Sequence, residues 1–389
     1  MTTSLLIAFR TWSVRLGFAL GRRRPMRHRI VFATSHARRL GGNLAMLRDE
    51  VHRRAPDVEV VEHTRAIGRG RLRNRLGALV FGARAGYRIA TSRVVVVDDY
   101  FFPLYVVEPG DQTTVVQAWH GCGAFKQFGY SVVDKSFGAD RRLLERVRIH
   151  SNYDVCLVSS MSVAPHFAEA FDQPLDRFRA DLGIPRTDVL FGEERIERIV
   201  ASLRHRYAIP TDRRIVLVAP TFRGDTVGDA RAAGLPDWRV LREALGEDHV
   251  LLVRLHPFIR DALVIDRELD GFVTDVSDHP DVNELLHVAD VLVTDYSSVI
   301  YEFALLGRPM VFFAPDLASY ERERGFYFDY RTGVPGPVVE TTGALAAALR
   351  DPAPDLERVR EFARRSFDVA DGHSTSRVVE RLLLPALGD

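Results

Sequence analysis

Short apolar runs rich in β-branched residues alternate with helix-periodic stretches between about residues 30 and 315. Runs that are apolar at every position, such as the four valines at 94–97, are typical of parallel strands buried on both faces of a sheet. Strands that alternate with helices in this way predict an α/β fold. The predicted strands are Arg29–Thr34, Val94–Asp98, Thr113–Ala118, Val155–Ser159, Ile215–Ala219, Val250–Val253, Val291–Thr294 and Met310–Phe313.

The chain has 389 residues, which is enough for two such domains, each with its own buried core. We expect a first Rossmann-like domain at residues 29–195 and a second at residues 196–350. A basic segment at residues 1–28 precedes them, and helices at residues 351–389 could cross back to the first domain.

The N-terminal segment combines an apolar helical face with a run rich in arginine at residues 22–29. One side of the predicted helix carries Leu5, Phe9, Trp12, Leu16 and Leu20. Because no run of about 18 uninterrupted apolar residues occurs, we expect an interfacial anchor on an anionic membrane surface and not a spanning helix. The alternative is a helix packed on its own domain and followed by a solvated loop. We find no signal-peptide pattern.

Charge and cysteine content narrow the class of protein further. Residues 1–93 hold 20 arginines and 5 acidic residues, although the net charge of the whole chain is +1. A basic end of this kind predicts an anionic partner, and the lack of an aromatic stacking platform argues against nucleic acid. Two cysteines cannot build a four-cysteine zinc site or a disulfide framework, so we expect a reducing, cytoplasmic setting. The sequence does not define an oligomeric state.

Polar residues follow five of the predicted strands at their carboxyl ends, where open α/β sheets bind ligands. Because these strands belong to both predicted domains, we expect one shared cleft between the domains. The residues at these positions are His120, Thr221, Arg223, His256, Asp295, Ser297, Ser298 and Asp316.

His120 leaves its strand into a glycine-rich turn, where a side chain that titrates near neutral pH suits a general base. A histidine that only hydrogen-bonds the turn is the alternative. Lys126 lies just beyond, in a chain of 51 arginines and two lysines, which hints at a phosphate contact through a compact ammonium. Cys122 beside His120 is a weaker candidate for a nucleophile, because cytosolic cysteines are more often inert.

The second domain supplies the groups that a diphosphate requires. Arg223, Arg254 and His256 could neutralise a leaving phosphate without a metal, although arginines and capped histidines after strands are common. Ser297 and Ser298 open a predicted helix whose start could bind an anion or simply be well capped. Neither a P-loop lysine nor a G-x-G-x-x-G motif occurs, which disfavours Walker NTPases and dinucleotide oxidoreductases.

Assembled in order, these blocks resemble the CDP-glycerol glycerophosphotransferase family of teichoic-acid-type polyol-phosphate transferases. The resemblance spans about residues 115–330. The matching blocks are Trp119-His120-Gly121, Gly183-Ile184-Pro185-Arg186-Thr187-Asp188, Ala219-Pro220-Thr221-Phe222-Arg223, Arg254-Leu255-His256-Pro257, Thr294-Asp295-Tyr296-Ser297-Ser298, Arg308-Pro309 with Asp316 and Tyr320, and Arg324-Gly325-Phe326-Tyr327-Phe328-Asp329-Tyr330.

The resemblance implies a GT-B architecture with the active site in the cleft between an acceptor domain and a CDP-donor domain. It implies transfer of a polyol phosphate from CDP-glycerol or CDP-ribitol to a polyprenyl-diphosphate-linked or glycan acceptor, with release of CMP. The resemblance also implies that the reaction takes place at the cytoplasmic face of the membrane and needs no further cofactor or metal. By the same resemblance His120 is the base, with His256 and Arg223 also placed in the catalytic set. The residues implied to contact substrate are Trp119, Gly121, Cys122, Gly123, Lys126, Arg186, Pro220, Thr221, Arg254, Leu255, Thr294, Asp295, Ser297, Ser298 and Glu302.

Two departures from the family pattern bear on the substrate. The loop from Cys122 to Lys126 is one residue longer than usual, and Glu302 stands where the family usually has Asp. Glu302 is placed to accept hydrogen bonds from polyol hydroxyls. Both departures therefore lie where we expect the enzyme to recognise the polyol. The compact chain favours a priming transferase over a processive polymerase. The alternatives are a nucleotide-sugar glycosyltransferase of GT-B fold and a non-catalytic, membrane-bound partner of the same fold.

Overall fold

The structure, a computed structural model, describes residues 3–65, 72–133, 135, 144–224, 234–256, 259, 263–351 and 354–388. Two compact units divide the chain. Unit 1 contains residues 1–122, 128–188 and 367–389, and unit 2 contains residues 123–127 and 189–366. The chain therefore passes from unit 1 into unit 2 and back again within a few residues of His120.

Unit 1 is built on a parallel sheet of six strands in the order β2-β1-β3-β4-β5-β6. These strands are β1 (Arg27–Thr34), β2 (Glu59–Thr64), β3 (Ser92–Val97), β4 (Thr114–Gln117), β5 (Val155–Leu157) and β6 (Phe178–Arg179). Its helices are α1 (Thr3–Gly21), α2 (Gly42–Arg54), α3 (Leu72–Ala90), α4 (Ala164–Phe171) and, from the C-terminal part of the chain, α13 (Ser374–Val378).

Unit 2 repeats the arrangement with a parallel sheet in the order β12-β11-β10-β7-β8-β9. Its strands are β7 (Arg214–Ala219), β8 (His249–Val253), β9 (Val273–Asp275), β10 (Val291–Thr294), β11 (Met310–Phe313) and β12 (Val338–Val339). Its helices are α5 (Glu193–Tyr207), α6 (Trp238–Leu245), α7 (Val282–Leu286), α8 (Val299–Ala304), α9 (Leu317–Arg324), α10 (Tyr330–Gly333), α11 (Thr342–Leu349) and α12 (Leu356–Ser366).

The eight predicted strands are all present, and the α/β prediction is confirmed. Valines 94–97 of β3 are fully buried, as expected for a central strand with a neighbour on each side. The structure adds four strands that were not predicted, and each is an edge strand of its sheet. They are β2, β6, β9 and β12.

Helices α1 and α3 pack backbone against backbone in unit 1. A Cβ atom added to Gly17 of α1 would lie 1.8 Å from the carbonyl oxygen of Ala83. One added to Gly86 of α3 would lie 2.1 Å from the carbonyl oxygen of Val14. The glycines therefore permit a contact that a larger residue would block. Among the described residues, no helix is both long enough and apolar enough to cross a membrane.

The C-terminal residues from Phe367 onward belong to unit 1. Asp188 accepts hydrogen bonds from the backbone amides of Ser374 at 2.9 Å and Thr375 at 2.7 Å. Asp368 accepts a hydrogen bond from the Ser160 hydroxyl at 2.7 Å. These carboxylate contacts hold the terminal segment against the domain that the N-terminal half of the chain builds.

Candidate active site

The loop after β4 presents His120 at the carboxyl end of the unit 1 sheet. Trp119 adopts a φ of 50°, in the left-handed region that a bulky residue rarely occupies. Its amide donates to the Gln117 side chain at 2.9 Å, and Asn43 donates to the carbonyls of Ala118 and Trp119 at 2.9 Å each. These bonds hold a strained turn in place, and the side chain of His120 is about half exposed beyond it (51%).

The hydrogen bonds of His120 select one tautomer of its ring. Nδ1 lies 3.1 Å from the backbone carbonyl of Asp98, which can only accept, so Nδ1 carries the hydrogen. The lone pair is then on Nε2, which is the state that a general base requires. The carboxylate of Asp99 lies 3.9 Å from the same Nδ1. Asp98 and Asp99 were not predicted, although their position directly after β3 places them at the same sheet edge.

Unit 1 also brings Gly121, Cys122 and Arg186 to this loop. The Arg186 guanidinium donates to the His120 carbonyl, and the Arg186 amide donates to Asn43 Oδ1 at 2.8 Å. Cys122 is fully buried, and its carbonyl accepts from the Ser159 hydroxyl at 2.6 Å. A thiol with no exposed surface is poorly placed for attack, which weighs against the nucleophile alternative.

In unit 2, Asp295 joins the ends of β7 and β10. It accepts hydrogen bonds from the Thr221 amide at 2.8 Å and from the Thr221 hydroxyl at 3.0 Å. Arg223 lies 3.0 Å from its other carboxylate oxygen. The Thr294 hydroxyl donates to the carbonyl of Ala219 at 2.7 Å. The predicted motif after β7 and the predicted motif after β10 are therefore in direct contact.

Arg223 is buried and fully engaged within the protein. It donates to both oxygens of Asp316, at 2.7 and 3.0 Å, and to the carbonyl of Thr221 at 2.9 Å. Burial alone would lower the pKa of Arg223, but the carboxylates of Asp316 and Asp295 outweigh it and raise the pKa. This arginine stays charged and fixes the loops around Asp295.

The segment 123–127 is held on unit 2 by backbone contacts. Lys126 pairs with Phe326 in an isolated antiparallel bridge, and the Tyr327 amide donates to the carbonyl of Phe125 at 3.2 Å. A Cβ atom on Gly123 would lie 2.1 Å from the ring of Tyr301. Glycine is therefore required for the close approach of this segment to α8.

Cationic side chains gather where this segment meets the ends of β7 and β8. Burial and the nearby charge of Arg324 together lower the pKa of Lys126 to about 8. Burial, Arg254 and Lys126 together lower the pKa of His256 to about 4. We call Lys126, Arg254, His256 and Arg324 the cationic cluster. Burial, together with the mutual repulsion of these cations, lowers the pKa of Lys126 and of His256, as in a site suited to an anion.

The remaining predicted residues of unit 2 lie beside these groups. Ser298 is the N-cap residue of α8 and makes no side-chain cap hydrogen bond, whereas the Val299 amide donates to Ser297 Oγ at 3.4 Å. Leu255 and Glu302 are buried, and Pro220 directly follows β7. Their contacts with substrate stay predictions, and Pro257 lies outside the described residues. Across the described part of the chain, no three His, Cys, Asp or Glu residues form a group suited to a metal.

The fold and these groups are typical of a GT-B-like transferase of activated phosphates. The fold has two parallel sheets, a histidine base candidate follows β4, and the cationic cluster lies in the second unit. A family profile described as CDP-Glycerol:Poly(glycerophosphate) glycerophosphotransferase matches residues 17–384. The chain belongs to this family.

Characterised relatives cover nearly the whole chain. The teichoic acid ribitol-phosphate primase of Bacillus spizizenii is 37% identical over 359 residues, which are 92% of this chain and 91% of that protein. The teichoic acid ribitol-phosphate polymerase TarK of Staphylococcus aureus is 34% identical over 91% of this chain and 68% of its own length. The chain therefore has teichoic acid polyol-phosphate transferases as its relatives.

A solved structure confirms the fold. A variant of the wall teichoic acid polymerase TagF matches with a TM-score of 0.77 over 97% of this chain and 93% of its own, at 23% identity. A UDP-GlcNAc 2-epimerase from Neisseria meningitidis matches with a TM-score of 0.54 at 12% identity. The GT-B-like prediction is confirmed, while the location of the active site between the two units stays a prediction.

Proposed function

We propose that this protein transfers a polyol-phosphate unit from a CDP-polyol donor to a hydroxyl of a lipid-linked or glycan acceptor and releases CMP. The observation that carries the proposal is His120, whose Nδ1 hydrogen is held by the Asp98 carbonyl at 3.1 Å and whose side chain is half exposed. A histidine in this state can remove a proton from a hydroxyl.

The reaction is a displacement at phosphorus. The acceptor hydroxyl gives its proton to Nε2 of His120, and its oxygen forms a bond to the β-phosphorus of the donor. The bond between that phosphorus and the bridging oxygen breaks, and the electron pair leaves with CMP. The product is a phosphodiester, and no oxidant or reductant is needed.

The cationic cluster is the donor's phosphate site in this proposal. Lys126, Arg254 and Arg324 supply positive charge, and His256, uncharged above about pH 4, supplies a ring N–H donor. A diphosphate placed here would be neutralised as charge moves to the leaving CMP. Arg223 acts on this site through Asp295 and Asp316.

Ribitol phosphate is the polyol that the relatives favour. The ribitol-phosphate enzymes match 91–92% of this chain, whereas the glycerol-phosphate primase of Bacillus spizizenii matches 76% at 30% identity. The primase match extends over 91% of that relative, which supports addition of a first unit or a few units.

The acceptor is proposed to be held at the cytoplasmic face of the membrane. We call Leu5, Phe9, Trp12, Leu16 and Leu20 the α1 stripe. All five side chains are exposed although α1 itself is packed on α3. An exposed row of large apolar residues beside the basic run at 22–29 fits an interfacial anchor on anionic lipid.

Product analysis tests the proposal against its alternatives. The protein is incubated with CDP-ribitol or CDP-glycerol and a polyprenyl-diphosphate-linked disaccharide analogue, bare or extended by glycerol-phosphate units. We expect CMP and an acceptor that has gained one polyol-phosphate mass, with CDP-ribitol the faster donor. A glycoside formed from a nucleotide sugar would replace the proposal with a glycosyltransferase. Donor binding without any product would indicate a non-catalytic partner.

A further inference from the structure

The surroundings of His120 contain a second histidine and two carboxylates that the proposed reaction has not yet used. His36 follows β1, and Asp98 and Asp99 follow β3, the neighbouring strand in the sheet. The rings of His36 and His120 have their centroids 6.5 Å apart. The four side chains therefore share one corner of the carboxyl edge of unit 1.

Asp99 lies between the two histidines. Its Oδ1 is 3.9 Å from Nδ1 of His120, and its Oδ2 is 3.2 Å from Nδ1 of His36. Two further hydrogen bonds hold Asp99. Its backbone carbonyl accepts from the Gln117 side chain at 3.3 Å, and its carboxylate Oδ1 accepts from the Tyr100 amide at 2.7 Å. The carboxylate is therefore fixed in place from both sides.

Asp98 and Asp99 have different environments. Asp98 is buried, and burial raises the pKa of its carboxyl more than the charge of His36 lowers it. Asp98 contacts His120 through its backbone carbonyl, which sets the tautomer. Asp99 is partly exposed and directs a carboxylate oxygen at the same ring nitrogen. The tautomer and the charge are thus supplied by two adjacent residues.

We propose that Asp99 is the positioning residue of the His120 base: its carboxylate stabilises the imidazolium that forms when His120 takes the acceptor proton, and His36 holds that carboxylate in place. This inference rests on the proposed function, because it deepens the role of His120 in it. No further proton moves. The acceptor proton stays on Nε2 of His120, and Asp99 remains ionised throughout.

The charged and titratable groups that face His120 within unit 1 set the pH behaviour. Two are anionic or potentially anionic and two are cationic or potentially cationic, and they come from three different segments. They are Asp98, Asp99, His36 and Arg186. Arg186 opposes a positive charge on His120, so the negative charge of Asp99 has to outweigh it.

Asp99→Asn tests the proposal. The asparagine keeps the shape and removes the charge, while the Asp98 carbonyl keeps the tautomer. We expect kcat to fall roughly 10- to 100-fold, the loss typical when a residue that orients a functional histidine is replaced. The KM for the CDP-polyol should not change. The acid limb of the kcat profile should move to lower pH by about one unit, because the imidazolium has lost its partner.

Matched variants separate positioning from folding. Asp111→Asn removes one exposed carboxylate from the loop before β4 and should leave kcat and the pH profile unchanged. Asp99→Glu keeps the charge and should recover part of kcat. His36→Ala should lower kcat by a smaller factor than Asp99→Asn and should not move the acid limb toward lower pH. Combining His36→Ala with Asp99→Asn should cost no more than Asp99→Asn alone, because His36 acts through Asp99.

Two results would overturn the inference. One is a folded Asp99→Asn protein with wild-type kcat and an unmoved acid limb. The other is a loss of activity in Asp99→Asn that raises the KM for the donor and is equally large in Asp99→Glu. Nitrogen-15 NMR of His120 in the resting protein gives an independent reading. We expect a hydrogen on Nδ1 and titration at lower pH in Asp99→Asn, whether or not the transfer reaction is ever observed.

Discussion

Arg223 shows how a residue found by its motif can serve the site indirectly. Its position after β7 predicts a contact with a leaving phosphate, and its role in catalysis stays a prediction. In the structure its guanidinium is occupied by Asp316, Asp295 and Thr221. Breaking a buried pair of this kind is strongly destabilising, because it leaves an uncompensated charge. The phosphate contact is therefore proposed for the cationic cluster and not for Arg223.

Lys126 belongs to the cationic cluster, and its charge is poised to change near physiological pH. Since its pKa is lowered to about 8, the ammonium is present below that pH and is lost as pH rises through it. Donor KM should therefore rise, by up to about tenfold between pH 7 and pH 9. Steady-state kinetics with CDP-polyol across this range measure the effect.

Lys126→Arg keeps a positive charge at all these pH values and should flatten the profile of donor KM. Lys135→Arg changes the other lysine of the chain and is expected to leave the wild-type profile in place. A wild-type KM that does not change between pH 7 and pH 9 would separate Lys126 from the donor phosphates.

The sequence could reveal His120 but not its partners. A histidine after an apolar strand is visible because it breaks a strong hydrophobic pattern. His36, Asp98 and Asp99 also follow strands, yet their importance depends on which strands are neighbours. The order β2-β1-β3-β4 puts the ends of β1, β3 and β4 side by side, and a linear pattern does not contain that order.

At the scale of elements, strand prediction follows burial. Strands with neighbours on both sides are apolar along most of their length, and all eight predicted strands were found. β2 is an edge strand whose sequence, Glu-Val-Val-Glu-His-Thr, mixes charges with valines and so lacks a buried-strand signature. β6 and β12 have two residues each, too few for any periodicity.

Helix α1 offers a test of membrane association. Trp12 and Leu16 of the α1 stripe are 62% and 43% exposed, so replacing both with Glu should leave the α1–α3 contact intact. We expect binding to phosphatidylglycerol-containing vesicles to weaken by roughly tenfold or more, because two buried apolar contacts with lipid are lost. Vesicle flotation measures it.

Val264→Glu is the matched control, since Val264 of unit 2 is an exposed apolar residue (76%) outside α1 and α3. It should float like the wild type. Equal flotation of the wild type and the Trp12→Glu, Leu16→Glu protein would remove the α1 stripe from membrane binding and favour the alternative of a helix packed on its own domain.

At the scale of the whole molecule, two α/β units could be anticipated from length and from two sets of strands. The passage of residues 123–127 into unit 2 could not, because nothing in Gly-Ala-Phe-Lys-Gln marks a change of unit. The contacts that hold the segment come from Tyr301, Phe326 and Tyr327, about 180–200 residues later in the chain. Only the tertiary fold brings Lys126 close to the other members of the cationic cluster.

If His120 is the base of a polyol-phosphate transfer, acceptor-dependent release of CMP must depend on its side chain. We expect CMP from CDP-ribitol with wild-type protein and a rate at least about 100-fold lower in His120→Ala, since general bases typically contribute that much or more. His205→Ala, which removes an exposed histidine on α5, should behave like the wild type. CMP released by His120→Ala at the wild-type rate would show that His120 is not the base.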